Sequence, residues 1–98
     1  MMIFKIFTVR DVKSEAYLQP FFLQTTGLAT REFEDLINNK NHHFNRHPAD
    51  YHLFELGVYD DTNCSFDMLQ SPKSLGTGLE YYKELSGAPL LEKMKKEV

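Results

Sequence analysis

The chain has little of what marks a secreted or membrane-spanning protein. Its single cysteine, Cys64, excludes an internal disulfide and is typical of a protein in a reducing compartment. No apolar run approaches the roughly 20 residues that a membrane-spanning helix needs. The opening MMIFKIFTVR is too short in its apolar run, and too alternating, for a signal peptide. We therefore expect a cytosolic protein without a membrane segment.

An excess of positive charge is also missing. Eleven Lys and Arg against fourteen Asp and Glu give a formal net charge of −3, which argues against a protein that binds nucleic acid through its overall charge. Aromatic residues are plentiful, with eight Phe and five Tyr, although Trp is absent. This apolar content suffices for one core in a chain of this length. We expect a single domain over residues 1–89, followed by a tail at 90–98 that is a short helix or disordered.

The first half of the chain predicts two strands and a helix. Residues 3–9 are β-branched and aromatic, with apolar side chains on both faces, which is typical of a strand inside a sheet. Residues 16–24 contain Pro20, which cannot donate to a ladder, so an edge strand or an irregular extended segment fits equally well. A helix capped by Thr25-Thr26 and running to Asn39 follows from one apolar stripe. That stripe consists of Ala29, Phe33, Leu36 and Ile37.

The second half predicts a hairpin and a second helix. Residues 51–59 and 64–69 read as strands joined by a four-residue turn. Apolar residues alternate along both strands, and we expect one face of each to form the core under the helix: Phe54, Leu56 and Val58, and Cys64, Phe66 and Met68. Ser71-Pro72 is a typical helix start, and this helix should end near residue 86. The predicted fold class is α+β, a small antiparallel sheet of three to four strands with two helices packed on one face.

Four stretches carry a family likeness: AYLQPFF (16–22), REFEDLIN (31–38), HPADYHLFELGVYDD (47–61) and PKSLGTGLEY (72–81). In this order and spacing the chain resembles the small nonstructural protein of gokushovirus-type microviruses. The resemblance implies a DNA-binding accessory protein of a single-stranded DNA phage, acting in the host cytoplasm during genome replication or packaging. It brings no established set of binding residues, so the site must be inferred from chemistry.

The sequence offers no recognisable catalytic or metal-binding set. All four histidines lie between residues 42 and 52, and His43 and His47 have the spacing of two ligands on a helix. Pro48 interrupts any such helix, and no second cysteine completes a structural zinc site. No Ser or Cys nucleophile stands beside a base, and the carboxylates are scattered. We expect no metal, no cofactor and no enzymatic activity; a metal-dependent nuclease is the remotest alternative.

The segment from Lys40 to His47 is the best candidate for nucleic-acid binding. Cations surround Phe44 there, and a cationic loop with an exposed ring can hold phosphates while the ring stacks a base. The residues expected to contact single-stranded DNA are Arg10, Lys13, Arg31, Lys40, His43, Phe44, Arg46 and His47. The alternative is that Phe44 belongs to the core and the charges form an ordinary surface.

Apolar residues near Pro20 and in the tail predict self-association. Consecutive aromatics in an extended segment cannot all face one core, and exposed rings at a sheet edge favour base stacking or a partner chain. We expect a homodimer formed through Tyr17, Phe21, Phe22, Leu90, Leu91 and Met94. The leading function is non-catalytic binding of single-stranded DNA. The alternative is a protein-interaction module that engages a phage replication or capsid protein without contacting DNA.

Overall fold

The computed structural model describes residues 2–83, and within them the chain forms a five-stranded antiparallel sheet with three helices. The strands follow the order β2-β1-β4-β5, and β3 pairs with the same edge of β1 as β2 does. The elements are β1 (Ile3–Asp11), β2 (Ala16–Tyr17), β3 (Phe21–Leu23), α1 (Thr26–Ile37), α2 (His43–Arg46), a 3-10 turn (Pro48–Asp50), β4 (Tyr51–Asp60), β5 (Ser65–Thr77) and α3 (Gly78–Tyr81).

The predicted position of the first strand is confirmed. β1 pairs with β2 and β3 on one side and with β4 on the other, so it lies inside the sheet. Pro20 falls between β2 and β3, which are short edge strands, because a residue without an N–H cannot continue the ladder. Phe21 is half-buried and stacks on Phe7, whereas Phe22 is exposed on the opposite side of the sheet.

Helix α1 covers one side of the sheet. Thr25 caps it by accepting a hydrogen bond from the amide of Leu28 at 3.1 Å, as predicted. Its stripe is confirmed: three residues are fully buried and Leu36 is half-buried against them. The core that they share with the sheet and with α2 comprises Phe7, Val9, Ala29, Phe33, Ile37, Phe44, Tyr51 and Leu53.

A bulge in β4 changes which side its residues face. Phe7 pairs with Glu55 and Ile6 pairs with Gly57, so Leu56 is an extra residue opposite β1. Tyr51 and Leu53, before the bulge, point toward α1 and are buried. The expectation that Phe54, Leu56 and Val58 together form the core under the helix is therefore wrong for Phe54 and Leu56, and Val58 lies on the helix side without being one of the core residues. Phe54 and Leu56 lie on the side away from α1, and the bulge returns Val58, which pairs with Lys5, to the helix side, where it is half-buried.

The second predicted helix is also wrong. Residues 71–77 continue β5, and only a single helical turn, α3, follows, with Thr77 and Glu80 forming its capping box. Pro72 is tolerated because it lies on an edge strand, in a stretch between Met68 and Lys73 that has no residue-for-residue partner on β4. Gly76 has φ +118°, a conformation that a helix cannot contain. Tertiary pairing thus overrides the local helix-start signal, and β5 leaves Phe66 and Met68 exposed rather than buried.

The segment predicted as a loop after α1 contains two short helical turns, α2 and Pro48–Asp50. Phe44 of α2 is only 4% exposed and stacks on Tyr51 at 4.2 Å between ring centres. The predicted tail, including Leu90, Leu91 and Met94, lies outside the described residues. No helix within residues 2–83 is long and apolar enough to cross a membrane.

Candidate nucleic-acid interface

The side of the sheet opposite α1 carries a row of aromatic side chains, and we call it the open face. None of the three described helices contributes a residue to it. The open face is formed by Phe4, Ile6, Thr8, Arg10, Tyr17, Phe22, His52, Phe54, Leu56, Tyr59, Phe66 and Met68. Ile6 and Thr8 are buried, whereas the exposed side chains of Tyr17, Phe22, Phe66 and Met68 are available for a ligand or a partner chain.

At one end of the open face, a cation and three rings lie side by side, and we call this group the platform. It consists of Arg10, Tyr17, His52 and Phe54. Strand register places Arg10 between Tyr17 on β2 and His52 on β4. The guanidinium carbon of Arg10 lies 5.2 Å from the Tyr17 ring centre, and the Tyr17 ring, 49% exposed, meets Phe54 edge-on at 5.9 Å.

The platform is held in place by contacts along the sheet. The rings of His52 and Phe54 lie 4.4 Å apart, and His52 Nε2 is 2.7 Å from Ser74 Oγ on β5. Beside the platform, the Thr8 hydroxyl donates to the carbonyl of Leu18 at 2.8 Å. These contacts hold the rings in place. Tyr17 is exposed and Phe54 is half-buried, so Tyr17 offers the more accessible face to a stacked base.

At the other end of the open face, four rings surround an open hollow of about 350 Å³, which we call the aromatic slot. The slot is lined by Phe4, Phe22, Tyr59 and Phe66. Phe22 meets Tyr59 edge-on at 5.7 Å, and Tyr59 lies 4.8 Å from Phe66. The pKa of the Tyr59 hydroxyl is raised, first by its electrostatic interaction with Cys64 and then by desolvation and by the nearby carboxylates of Asp61 and Asp60.

Between the platform and the slot, the chain partly covers the sheet. A shallow hollow of about 240 Å³ lies here, next to the platform. It is lined by Leu18 and Pro20 from the segment between β2 and β3, by Pro72 from the irregular part of β5, and by Thr8, Tyr17 and Leu56. The platform and the slot are therefore two separate sites on one face. A third hollow of about 400 Å³ lies on the helix side, beside Phe33 and Leu36 of α1, and is mainly apolar.

The structure places the predicted nucleic-acid-binding residues in different parts of the molecule. Phe44 is buried, so it cannot stack a base, and the alternative that it belongs to the core is confirmed. Lys40, His43, Arg46 and His47 are exposed around it, on the helix side of the sheet. The amide of Val12 donates to the carbonyl of Asp50 at 3.0 Å, which brings the turn containing Lys13 to the same end of the molecule. Arg31 lies apart, on the outward face of α1.

His42 has a structural role in this segment. Its Nδ1 accepts a hydrogen bond from the amide of Phe44 at 3.1 Å and so caps α2. Burial lowers the pKa of His42, and the neighbouring charge of His43, whose ring is stacked at 4.5 Å, lowers it further. Among the described residues, no group of three or more His, Cys, Asp and Glu side chains could hold a metal ion.

Sequence reasoning missed most of the platform and slot. Arg10 was predicted as a DNA contact and Tyr17 as a self-association residue, but His52 and Phe54 were assigned to neither role. The signal was present: two apolar sets alternate along residues 51–59, and one long helix can cover only one of them. The other set therefore had to lie on the side of the sheet opposite that helix.

Comparison with known proteins identifies the family of the chain. No curated protein and no solved structure shows a significant match. The sequence profile of the family described as Phage ORF5 protein matches residues 4–81, which is most of the chain and contains every residue of the platform and the slot. This protein therefore belongs to the Phage ORF5 protein family.

Proposed function

We propose that this phage protein is a non-catalytic accessory protein that binds single-stranded DNA through the platform. In detail, it acts as the small nonstructural protein of a gokushovirus-type microvirus, in the host cytoplasm, during genome replication or packaging. The observation that carries the proposal is the contact of Arg10 with Tyr17, beside Phe54, on the side of the sheet opposite α1. A cation and exposed rings in one row are what a single strand requires.

Each platform residue has a separate task. Tyr17 and Phe54 stack bases, because every base has a π-face and stacking tolerates any sequence. Arg10 binds a phosphate, and its contact with the Tyr17 ring restricts its side chain before the strand arrives. Lys13, in the turn that follows β1, adds a cation at the same end of the sheet.

Single strands should be preferred over duplex. Bases inside a duplex are already stacked and paired, so their faces are not available to Tyr17 or Phe54. Duplex binding without base contacts depends on phosphate neutralisation, which a chain of net charge −3 performs weakly.

The test is fluorescence anisotropy with a labelled oligothymidine and the same oligonucleotide in duplex form, at two salt concentrations, with and without EDTA. The parent should bind the single strand more tightly, and EDTA should have no effect. Tyr17→Ala should weaken binding by about 1–3 kcal/mol, the usual contribution of one stacked base. Tyr82→Ala, which removes an exposed ring outside the open face, is the matched control and should bind like the parent. Equal binding by Tyr17→Ala and the parent would overturn the assignment of the platform.

A second candidate function is a protein-interaction module that engages a phage replication or capsid protein. The net charge of −3 and the exposed apolar side chains of Phe66 and Met68 favour it. If the parent binds no oligonucleotide at low salt, this second function replaces the first.

A further inference from the structure

The aromatic slot differs chemically from the platform, although both lie on the open face. Its lining consists of four rings alone, without a cation such as Arg10. Phe66 is 55% exposed and Phe22 is also exposed, so the hollow opens to solvent. Ring faces carry partial negative charge, and several rings around one hollow therefore attract a cation.

The charge beside the slot has the same sign as the ring faces. Asp60 follows Tyr59 directly, and Asp61 accepts a hydrogen bond from the amide of Met2 at 3.0 Å, so both carboxylates stay at this end of the sheet. Lys5 is paired with Glu55 instead, with 3.7 Å between its Nζ and a carboxylate oxygen of Glu55. The slot thus repels phosphate and favours a positively charged, partly apolar segment.

The chain itself carries such a segment outside the described residues. Residues 90–96 read Leu-Leu-Glu-Lys-Met-Lys-Lys, in which three lysines surround Met94. The aliphatic stem of a lysine packs on aromatic surface while its ammonium group faces the carboxylates. Methionine sulfur also makes favourable contacts with rings.

Geometry disfavours the segment of the same molecule as the occupant. The amide of Lys83 donates to Asn38 Oδ1 at 2.7 Å, at the end of α1 remote from the slot. The helix from Thr26 to Asn38 extends about 18 Å, and the slot lies beyond Thr26 and on the other side of the sheet. Lys93 follows Lys83 by ten residues (93 − 83), which reach about 33–36 Å when fully extended. A path along the helix and around a sheet edge would use nearly all of this length, at a large entropic cost.

We propose that the slot of one copy binds the basic C-terminal segment, Lys93–Lys96, of a second copy. Two copies exchange segments reciprocally about a two-fold axis, so the dimer uses two identical contacts and leaves neither slot empty. This inference concerns the slot alone and does not depend on DNA binding at the platform.

The test measures the mass of the full chain by light scattering over a concentration series up to high micromolar. The parent should approach twice the monomer mass. Phe66→Ser, and separately the triple change Lys93→Glu, Lys95→Glu, Lys96→Glu, should each return the mass to that of the monomer. Leu79→Ser is the matched control, since it removes a 59% exposed apolar side chain outside the open face, and it should remain dimeric.

A mixing experiment separates exchange from a general effect of these changes. The Phe66→Ser chain retains its basic segment, and the triple-Glu chain retains its slot, so an equimolar mixture should recover dimers through one intact contact. Circular dichroism of each variant should match that of the parent, because Phe66 and Leu79 are exposed and the three lysines lie outside the described residues. A monomeric parent, variants that remain dimeric, or a mixture that stays monomeric would each overturn the proposal. Oligonucleotide binding that Phe66→Ser abolishes would assign the slot to DNA instead.

Discussion

Arg10 lies over the ring of Tyr17, its cross-strand neighbour, with 5.2 Å between the guanidinium carbon and the ring centre. A cation and an exposed ring are thereby joined on one surface, although the two residues belong to different strands. Because a charge contact and a stacking contact respond differently to salt, their roles in DNA binding can be separated.

Arg10→Gln should weaken binding to single-stranded DNA and also flatten its salt dependence. When one phosphate contact is lost, DNA binding releases fewer counterions. The negative slope of log K against log salt should therefore become shallower by roughly 0.7, the value for one phosphate on a single strand. Anisotropy titrations across a salt series measure both effects. Arg31→Gln removes the same charge from the outward face of α1 and should leave affinity and slope close to those of the parent. An unchanged slope for Arg10→Gln would contradict a phosphate contact.

Phe33→Ala should lower the free energy of unfolding by about 3–5 kcal/mol, as other buried Phe truncations do. Phe33 is almost fully buried, and its ring meets both Phe44 and Tyr81 edge-on. Urea denaturation gives the value. Leu79→Ala, at an exposed position, should change stability by no more than about 0.5 kcal/mol. A loss below about 1 kcal/mol for Phe33→Ala would contradict the placement of Phe33 in the core.

Gly57→Ala should destabilise the sheet by about 1–3 kcal/mol, the usual cost of overpacking. A Cβ at this position would lie 2.8 Å from the Cα of Met68, and backbone atoms cannot move aside as a side chain can. Gly27→Ala is the matched control, since a Cβ there has open space and lies within α1. It should be neutral or stabilising by about 0.5–1 kcal/mol. Chemical denaturation gives the free energy of unfolding of both variants. Equal stability of the two variants would contradict the close approach of β4 and β5 at Gly57.

Folding stability should decline at mildly acidic pH through His42. Burial and the charge of His43 lower its pKa in the folded state from the ordinary 6.5, so the unfolded chain binds the proton more readily. The contribution of His42 to folding stability is therefore fully present above pH 6.5, the ordinary pKa, and is lost as the pH falls through the lowered pKa of the folded state. Protonation at Nδ1 also removes the acceptor that caps α2.

Urea denaturation at several pH values between about 7.5 and 5 measures this decline. His42→Asn should reduce the pH dependence, because an amide oxygen can still accept the hydrogen bond and does not titrate in this range. His47→Asn changes an exposed histidine outside the capping contact and should leave the curve unchanged. An NMR titration that gives His42 a pKa at or above the ordinary value would contradict the prediction.

Local signals predicted the elements whose own residues determine them. The stripe of α1, its cap at Thr25, the interior position of β1 and the break at Pro20 all follow from periodicity or from the chemistry of a single residue. The hairpin of β4 and β5 was predicted for the same reason. These features need no knowledge of what lies across the sheet.

The features that were missed depend on contacts between distant residues. Ser71-Pro72 has a helix-start sequence, but pairing with β4 before and after it keeps β5 extended. Phe44 stands among cations in the sequence, yet Tyr51 and Phe33 draw its ring into the core. The platform could not be predicted as a unit either, because its four residues come from three strands and meet only through their register.

The extra residue Leu56 makes chain length as important as residue type in β4. In a regular strand Tyr59 would face α1 together with Tyr51 and Leu53, and the extra residue is what places Tyr59 opposite Phe4, in the slot. Deleting Leu56 itself would remove the bulge and keep Tyr59 in the slot, whereas inserting or deleting one residue elsewhere between Tyr51 and Tyr59 would turn part of the strand to the wrong side. β5 should tolerate changes of length between Met68 and Lys73, because the residues of that stretch have no residue-for-residue partners on β4. Within this family, length changes should accumulate in that stretch of β5, and in β4 they should be confined to loss of the bulge residue at position 56.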